Sequence, residues 1–301
     1  MVISRSVTLT ERYHANMKIA VIIPAAGLGK RFAATSGTQP ASNFTKIEMD
    51  LLGRPVFLRA VELFTTRAEV SQIILAVNPD TLDEFKFRWG EKLSFMGVTL
   101  AAGGRTERWE TVKLALQAVK PEVTHVAVHD AARPLTDAKV IDRVFEAAAR
   151  YPAVIPGIFA SATLKKVSPM PADMQADPVG DLLGVNTKQV KPLGQVANVV
   201  DRRDVVEVQT PQIFELQLLC RAYAQIVEGQ LSGADSSKTI TDDAMLVEAL
   251  GEKVVVVEGA STNFKITRPE DLELARAWMT MIQPATQAAT ARKKLFADDE
   301  D

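Results

Sequence analysis

The run Ile19-Ala-Val-Ile-Ile-Pro24 is apolar at nearly every position, and it constrains the fold more than any other stretch of the chain. A strand with one wet face alternates polar and apolar residues, whereas an unbroken apolar strand belongs inside a parallel sheet covered on both faces. Shorter β-branched runs recur at Gln72–Val77, Val98–Ala102, His125–His129, Ala153–Pro156 and Lys253–Val257. Helical periodicity falls between and after them, at Val56–Thr66, Thr81–Leu93, Arg108–Val119, Asp137–Tyr151, Glu215–Glu228, Asp242–Leu250 and Pro269–Met281. Strands alternating with helices of roughly 10–15 residues build βαβ units. The pattern therefore predicts an α/β fold with a mostly parallel twisted sheet and helices on both faces. Ligands of such sheets bind beyond the carboxyl ends of the strands, at a topological switch point. The residues that follow each strand are the ones to search.

Composition excludes several alternatives. With 35 Lys+Arg against 37 Asp+Glu the chain has no global pull toward nucleic acid or an acidic membrane. No apolar run reaches the roughly 18–20 residues of a membrane span. A single cysteine, Cys220, cannot close an intramolecular disulfide, which points to a reducing, cytoplasmic compartment. An apolar content of 47% and a charged content of 24% describe an ordinary globular chain, long enough to bury its own core. Residues 1–16 contain no apolar signal core and precede Met17, so they read as an extension; residues 284–301 read as a frayed helix and acidic tail. One domain is expected over 17–283. Within it, about 160–203 breaks the alternation with several Pro and Gly residues, and its flanks Ala162–Val167 and Asn198–Val208 read as two arms of an extended hairpin.

Three strand ends carry chemistry. After the first strand comes PAAGLGKRF, where Ala25, Ala26, Gly27 and Gly29 let the backbone approach phosphate oxygens while Lys30 and Arg31 add positive charge. It is neither a Walker loop, since Arg31 follows Lys30 where Ser or Thr is required, nor a dinucleotide fingerprint, since Phe32 occupies a position that needs a small residue. After the third strand, Gly103-Gly104 leads into a helix with Thr111 in its early turns. After the fourth lies His129-Asp130-Ala131-Ala132-Arg133, where Asp130 stands at the carboxyl edge of the sheet, a place for Mg²⁺ on substrate phosphates, and Arg133 offers a fork for anions. His129 reads as core or as support behind the site. Lys265 is expected in a short strand, aimed at an anion, before Thr267–Pro269 opens the last helix. The residues alone leave open a plain glycine-rich turn and a salt bridge closing a βα loop. Together, cations and glycine loops around one carboxylate suit phosphoryl or nucleotidyl transfer, in which positioning and charge stabilisation do most of the work.

PAAGLGKRF, VHDAARP, VDRRDVVEVQTPQIF, TDDA and NFKITRPEDL, in this order across roughly Lys18–Met281, resemble the 2-C-methyl-D-erythritol 4-phosphate cytidylyltransferase family. The resemblance implies a single Rossmann-like nucleotidyltransferase domain, an extended β-arm exchanged in a homodimer, and transfer of CMP from CTP to the methylerythritol phosphate with Mg²⁺. By position it implies Arg31 and Lys46 as catalytic cations, with Lys30 as a substitute for Lys46, because Thr45-Lys46-Ile47 stands where the family usually has Pro-Lys-Gln. It implies Ala25, Ala26, Gly27, Gly104, Thr111, Ala131 and Arg133 around the nucleotide, Asp130 near the metal, and Thr163, Arg202 and Lys265 around the acceptor. A cytidylyltransferase for another polyol phosphate, such as ribitol 5-phosphate, shares these motifs, and a non-catalytic nucleotide-binding relative is the remaining reading.

Overall fold

A computed structural model describes residues 17–27, 45–169, 194–227 and 240–295. The chain divides into a body, Met1–Gly157 with Gln209–Asp301, and a smaller unit, Ile158–Val208.

In the body the strands β1 (Ile19–Ala25), β2 (Val70–Val77), β3 (Val98–Ala102), β4 (His125–Val128), β5 (Ala153–Phe159), β9 (Gln212–Glu215) and β10 (Val255–Glu258) lie in the order β10-β5-β9-β4-β1-β2-β3. The pairs β1–β2, β2–β3, β1–β4 and β10–β5 are parallel. β9 runs antiparallel between β4 and β5. It was not foreseen, because Gln-Ile-Phe-Glu is too short to show a period of its own and merges with the helix that follows. The sheet is thus mixed and mostly parallel, as expected.

The alternation along β1 explains the two layers. Ile19, Val21 and Ile23 point into one core with Phe57, Phe64, Leu75, Phe145 and Leu272. Ala20 and Ile22 point into the other with Val112, Val126, Phe214, Leu218 and Leu246. The first core is closed by α1 (Val56–Glu62), α2 (Leu82–Phe95), α4 (Ala138–Ala148) and α7 (Pro269–Leu295), the second by α3 (Arg108–Leu116), α5 (Leu216–Val227) and α6 (Ala244–Ala249). α4 shows the logic locally. Asp137 caps it by accepting the Lys139 amide at 2.8 Å, and Val140, Ile141, Val144, Phe145 and Ala148 form its buried stripe. α7 runs past the expected end at Met281, to Leu295.

The chain visits β1, β2 and β3 on one side, then crosses back to place β4 on the other side of β1. This reversal is the switch point, and it opens a crevice beyond the ends of β1 and β4.

The smaller unit holds the hairpin β6 (Leu164–Ser168) and β7 (Gln195–Val200), paired antiparallel from Leu164↔Val200 to Ser168↔Gln195, and the short β8 (Val206–Val208). The two arms read from the sequence are these strands, and residues 170–193 between them lie outside the described residues.

Phe214 is fully buried between β9 and α5. Phe214→Ala should lower stability by about 3–5 kcal/mol, read as a fall in the urea midpoint at unchanged slope.

Candidate active site

A cavity of about 490 Å³ occupies the switch point. Its walls are the loop after β1 (Pro24–Gly27), Lys46 and Ile47, the segment from Gly104 to Arg108 with Thr111, the loop after β4 (Asp130–Ala132), Thr241 and Lys265.

The glycine pair is there for close packing. A Cβ on Gly103 would stand 2.9 Å from the Ala26 Cβ and 2.8 Å from Thr111 Cγ2, and one on Gly104 would stand 3.1 Å from the Thr111 amide. The Gly103 amide donates to the Val77 carbonyl at 2.7 Å, and the Gly104 amide donates to Thr111 Oγ1 at 3.0 Å. Thr111, which is buried, therefore shapes the Gly104 turn as well as lining the cavity.

Asp130 is the electrostatic centre. Its Oδ1 meets Arg108 Nε at 3.1 Å, and its Oδ2 meets Lys265 Nζ at 3.0 Å and Arg133 Nε at 3.3 Å. Burial opposes its ionisation, but Lys265, Arg108 and Arg133 outweigh burial and hold its carboxyl well below the usual carboxylate range. Behind it, the Asp130 amide donates to Thr210 Oγ1 at 3.1 Å. His129, fully buried, spans from Thr210 Oγ1 through Nδ1 (3.1 Å) to the Arg133 carbonyl through Nε2 (3.1 Å). Only a donor satisfies a carbonyl, so the proton sits on Nε2. Both ring nitrogens are engaged, and His129 supports the site from behind, as its sequence suggested.

Arg108 was missed as a site residue. The sequence marked it only as the opening of a helix, yet its Nη1 also meets Asp243 Oδ2 at 2.6 Å, and Asp243 accepts a hydrogen bond from Tyr223. Burial acts against the guanidinium charge, but Asp243 and Asp130 more than compensate and push its pKa up. The one local signal was TDDA, two consecutive carboxylates in the sequence.

Of the residues singled out from the sequence, Ala25, Ala26, Gly27, Lys46, Gly104, Thr111, Asp130, Ala131 and Lys265 converge on this cavity. Arg133 does not line it; its guanidinium braces Asp130 and reaches the Asn263 carbonyl at 2.5 Å. Lys265 corrects one expectation. It lies in an irregular segment between β10 and α7, not in a strand, because the neighbouring Ile266 amide is taken by the Ala132 carbonyl at 2.8 Å. Lys46 Nζ donates to the Ile266 carbonyl at 3.0 Å. Thr163 and Arg202 belong to the smaller unit, where both are exposed and Arg202 donates to the Ser161 carbonyl. Lys30 and Arg31 lie outside the described residues.

Among the described residues no group of three or more His, Cys, Asp or Glu is arranged to hold a metal by itself. The donor set still fits Mg²⁺, which takes one or two carboxylates and completes its shell with water and substrate phosphates. Asp130 would supply the carboxylate, with Lys265, whose side chain is 32% exposed, as the partner most able to yield Oδ2.

Small-residue loops lining one cavity with Lys46, Arg105, Arg108 and Lys265 give this α/β protein the features of a nucleotide-handling transferase. The family model for 2-C-methyl-D-erythritol 4-phosphate cytidylyltransferase matches residues 19–173 and 169–281, and the chain belongs to that family. It is 34% identical over 270 residues to the enzyme of that name from Rhodopirellula baltica, covering 86% of this chain and 93% of that one. With the Frankia casuarinae enzyme of the same name it shares 36% over 278 residues, covering 92% and 87%. The crystal structure of the Thermus thermophilus enzyme superimposes with a TM-score of 0.60 at 30% identity, over 87% of this chain and 98% of that one. No described helix is long and apolar enough to cross a membrane.

Burial pushes the His129 pKa from 6.5 down to about 4, against the pull of Asp130 and the Arg133 carbonyl. Between those values the unfolded chain binds a proton that the folded chain refuses, so stability falls as pH drops through this window. The loss amounts to about 3 kcal/mol for the full span. Urea midpoints measured with chelator between roughly pH 4.5 and 7.5 should show this slope in the native chain and a flatter one in His129→Asn. Equal slopes would place the acid sensitivity elsewhere.

Proposed function

We propose that the protein transfers CMP from CTP to 2-C-methyl-D-erythritol 4-phosphate. The acceptor phosphate oxygen forms a bond to the α-phosphorus of CTP, the bond to the β-phosphate oxygen breaks, and pyrophosphate leaves with the displaced electron pair. The product is 4-diphosphocytidyl-2-C-methyl-D-erythritol, an intermediate of non-mevalonate isoprenoid synthesis. The observation that carries this reading is the cavity at the switch point, where Arg108 and Lys265 pair with Asp130 and Lys46 lines the same wall beside the small-residue loops of a cytidylyltransferase-family chain.

In this reading Ala25, Ala26 and Gly27 admit the triphosphate, and Gly104 and Thr111 contact the cytosine and ribose. Ala131 keeps the β4 loop low. Lys46 and Arg31 stabilise the charge that builds on the α-phosphate. Asp130 would hold Mg²⁺, which supplies neutralisation of the triphosphate when bound. Lys265 takes the acceptor phosphate, Thr163 and Arg202 are assigned to the acceptor by the family resemblance alone, and Arg133 fixes Asp130. Each of the two catalytic cations is worth about 3–4 kcal/mol if it behaves as oxyanion donors do. Lys46→Ala should therefore reduce kcat by about 10²–10³-fold in a pyrophosphate-release assay with CTP and Mg²⁺. The same assay with ribitol 5-phosphate in place of the methylerythritol phosphate identifies the acceptor. No release with either acceptor from a folded protein would sink the reading.

We also propose a homodimer formed through the hairpin, acting in the cytoplasm. A two-stranded ribbon is at best marginal alone, and Val167 and Val196 are paired across β6 and β7 and exposed at 53% and 57%. A second copy is the partner that would cover them. Sedimentation should give twice the chain mass, and Val196→Lys should shift the population toward monomer.

A further inference from the structure

Lys46 stands on a single 3-10 turn, Lys46–Glu48, and the side chain two residues later is an unusual one for its setting. Glu48 is buried, with its side chain 1% exposed, between the core residues Ile47 and Leu51. A carboxylate there costs several kcal/mol unless it is fully paired, and an apolar residue would fill the space more cheaply. Its partners come from two directions. Oε2 accepts from the Thr45 amide at 3.2 Å and from Thr45 Oγ1 at 3.3 Å, which closes the turn from its own start. Oε1 accepts from Trp89 Nε1 at 3.2 Å and pairs with Arg88 Nη2 at 3.0 Å, both on α2. Trp89 is itself fixed edge-on against Phe57 of α1, with ring centroids 5.5 Å apart. The backbone closes this turn on itself, Glu48 N to the Thr45 carbonyl at 2.9 Å and Met49 N to the Lys46 carbonyl at 3.4 Å, and ties its end to the start of α1, Val56 N to the Met49 carbonyl at 3.1 Å. Glu48 adds a side-chain link from the turn that carries Lys46 to α2, a helix outside the cavity.

We propose that Glu48 is a positioning residue for Lys46, holding its turn against Arg88 and Trp89 so that the ammonium stands at the cavity wall. The proposal rests on the reading of Lys46 as the cation that meets the α-phosphate. A displacement of about 1 Å in such a group is enough to cost about 10²-fold in rate. Glu48→Ala should lower kcat by about 10- to 100-fold while the KM for CTP moves by less than about 3-fold. Glu48→Gln keeps one acceptor oxygen, enough for Thr45 or for Trp89 and Arg88 but not for both, so it should recover only part of the rate.

The decisive comparison is the double variant. In a Lys46→Ala background, Glu48→Ala should cause no further loss of kcat, because there is no ammonium left to position. Losses that multiply, or an unchanged kcat in Glu48→Ala, overturn the proposal. A readout independent of turnover is acylation of Lys46 by an N-hydroxysuccinimide ester, followed by peptide mass spectrometry of the full-length protein. Labelling should rise at least about 3-fold in Glu48→Ala relative to Lys120, with Glu48→Gln between it and the native chain. If Glu48→Ala does not fold, Glu48→Gln carries both readouts. Absence of pyrophosphate release from the native chain would refute the functional reading alone, and the labelling ratio would still decide the role of Glu48.

Discussion

One buried carboxylate ties the active end of this molecule together. Asp130 follows β4, Arg108 opens α3, Arg133 closes the βα loop and Lys265 comes from the segment before α7, and all three cations converge on its two oxygens. Breaking such a cluster by removing one member costs about 3–5 kcal/mol, because the remaining charge is stranded in low dielectric. A paired charge network gives less net stability than apolar residues of the same volume. Its retention at the mouth of the cavity makes sense in terms of a ligand, since a polyanion can take over the cations while a divalent ion takes over the carboxylate. The cluster thus gives the site a shape suited to ligands of opposite charges.

The support behind that cluster comes from the four-residue strand β9 and the residues just before it. Where the chain re-enters the body, Gln209, Thr210 and Gln212 are all buried, and each is spent on a different neighbour. Gln209 brackets Ala260, donating to its carbonyl at 2.7 Å and accepting from its amide at 3.1 Å. Thr210 holds the Asp130 amide and His129. Gln212 donates to Asp242 Oδ2 at 2.9 Å and accepts from the Ala244 amide at 3.2 Å, which fixes the turn presenting Asp243 to Arg108. The antiparallel β9 is what brings these three side chains under the switch point, between strands that a purely parallel sheet would have placed side by side. Their polar groups are satisfied, so the site is framed by a completed network.

The features legible in the sequence were those with a repeating physical signature. Unbroken apolar runs gave the parallel strands, 3.6-residue periodicity gave the helices, and the rule that ligands sit beyond strand ends located Ala25, Gly104 and Asp130 before any coordinates were known. What escaped was non-periodic or long-range. β9 is four residues long, and Lys265 reads as strand-like because its neighbours are apolar, although its segment is set by one bond to Ala132. Arg108 and Asp243 lie 135 residues apart, so their pairing has no local trace. Glu48 carries no sequence signal that sets it apart beside a candidate lysine. Only its burial does.

That last case bears on how a near-neutral chain builds a strongly cationic pocket. The cavity wall holds Lys46, Arg105, Arg108 and Lys265 against Glu107 and Asp130, an imbalance that the 35 to 37 count over the whole chain conceals. Three of these cations have an anchor outside the cavity lining, Asp243 for Arg108, the Ile266 carbonyl for Lys46 and the exposed Asp80 for Arg105, while Lys265 pairs with Asp130 on the wall itself. Placing the compensating carboxylates behind or beside the cavity keeps the cations ordered without cancelling the field at its centre. Glu48 extends the same arrangement one step outward, since its charge orders the turn of Lys46 while its own partners, Arg88 and Trp89, lie outside the cavity lining. Fixed dipoles and charges of this kind need not reorganise as charge develops on a transferring phosphorus, and that is where such a site gains its rate.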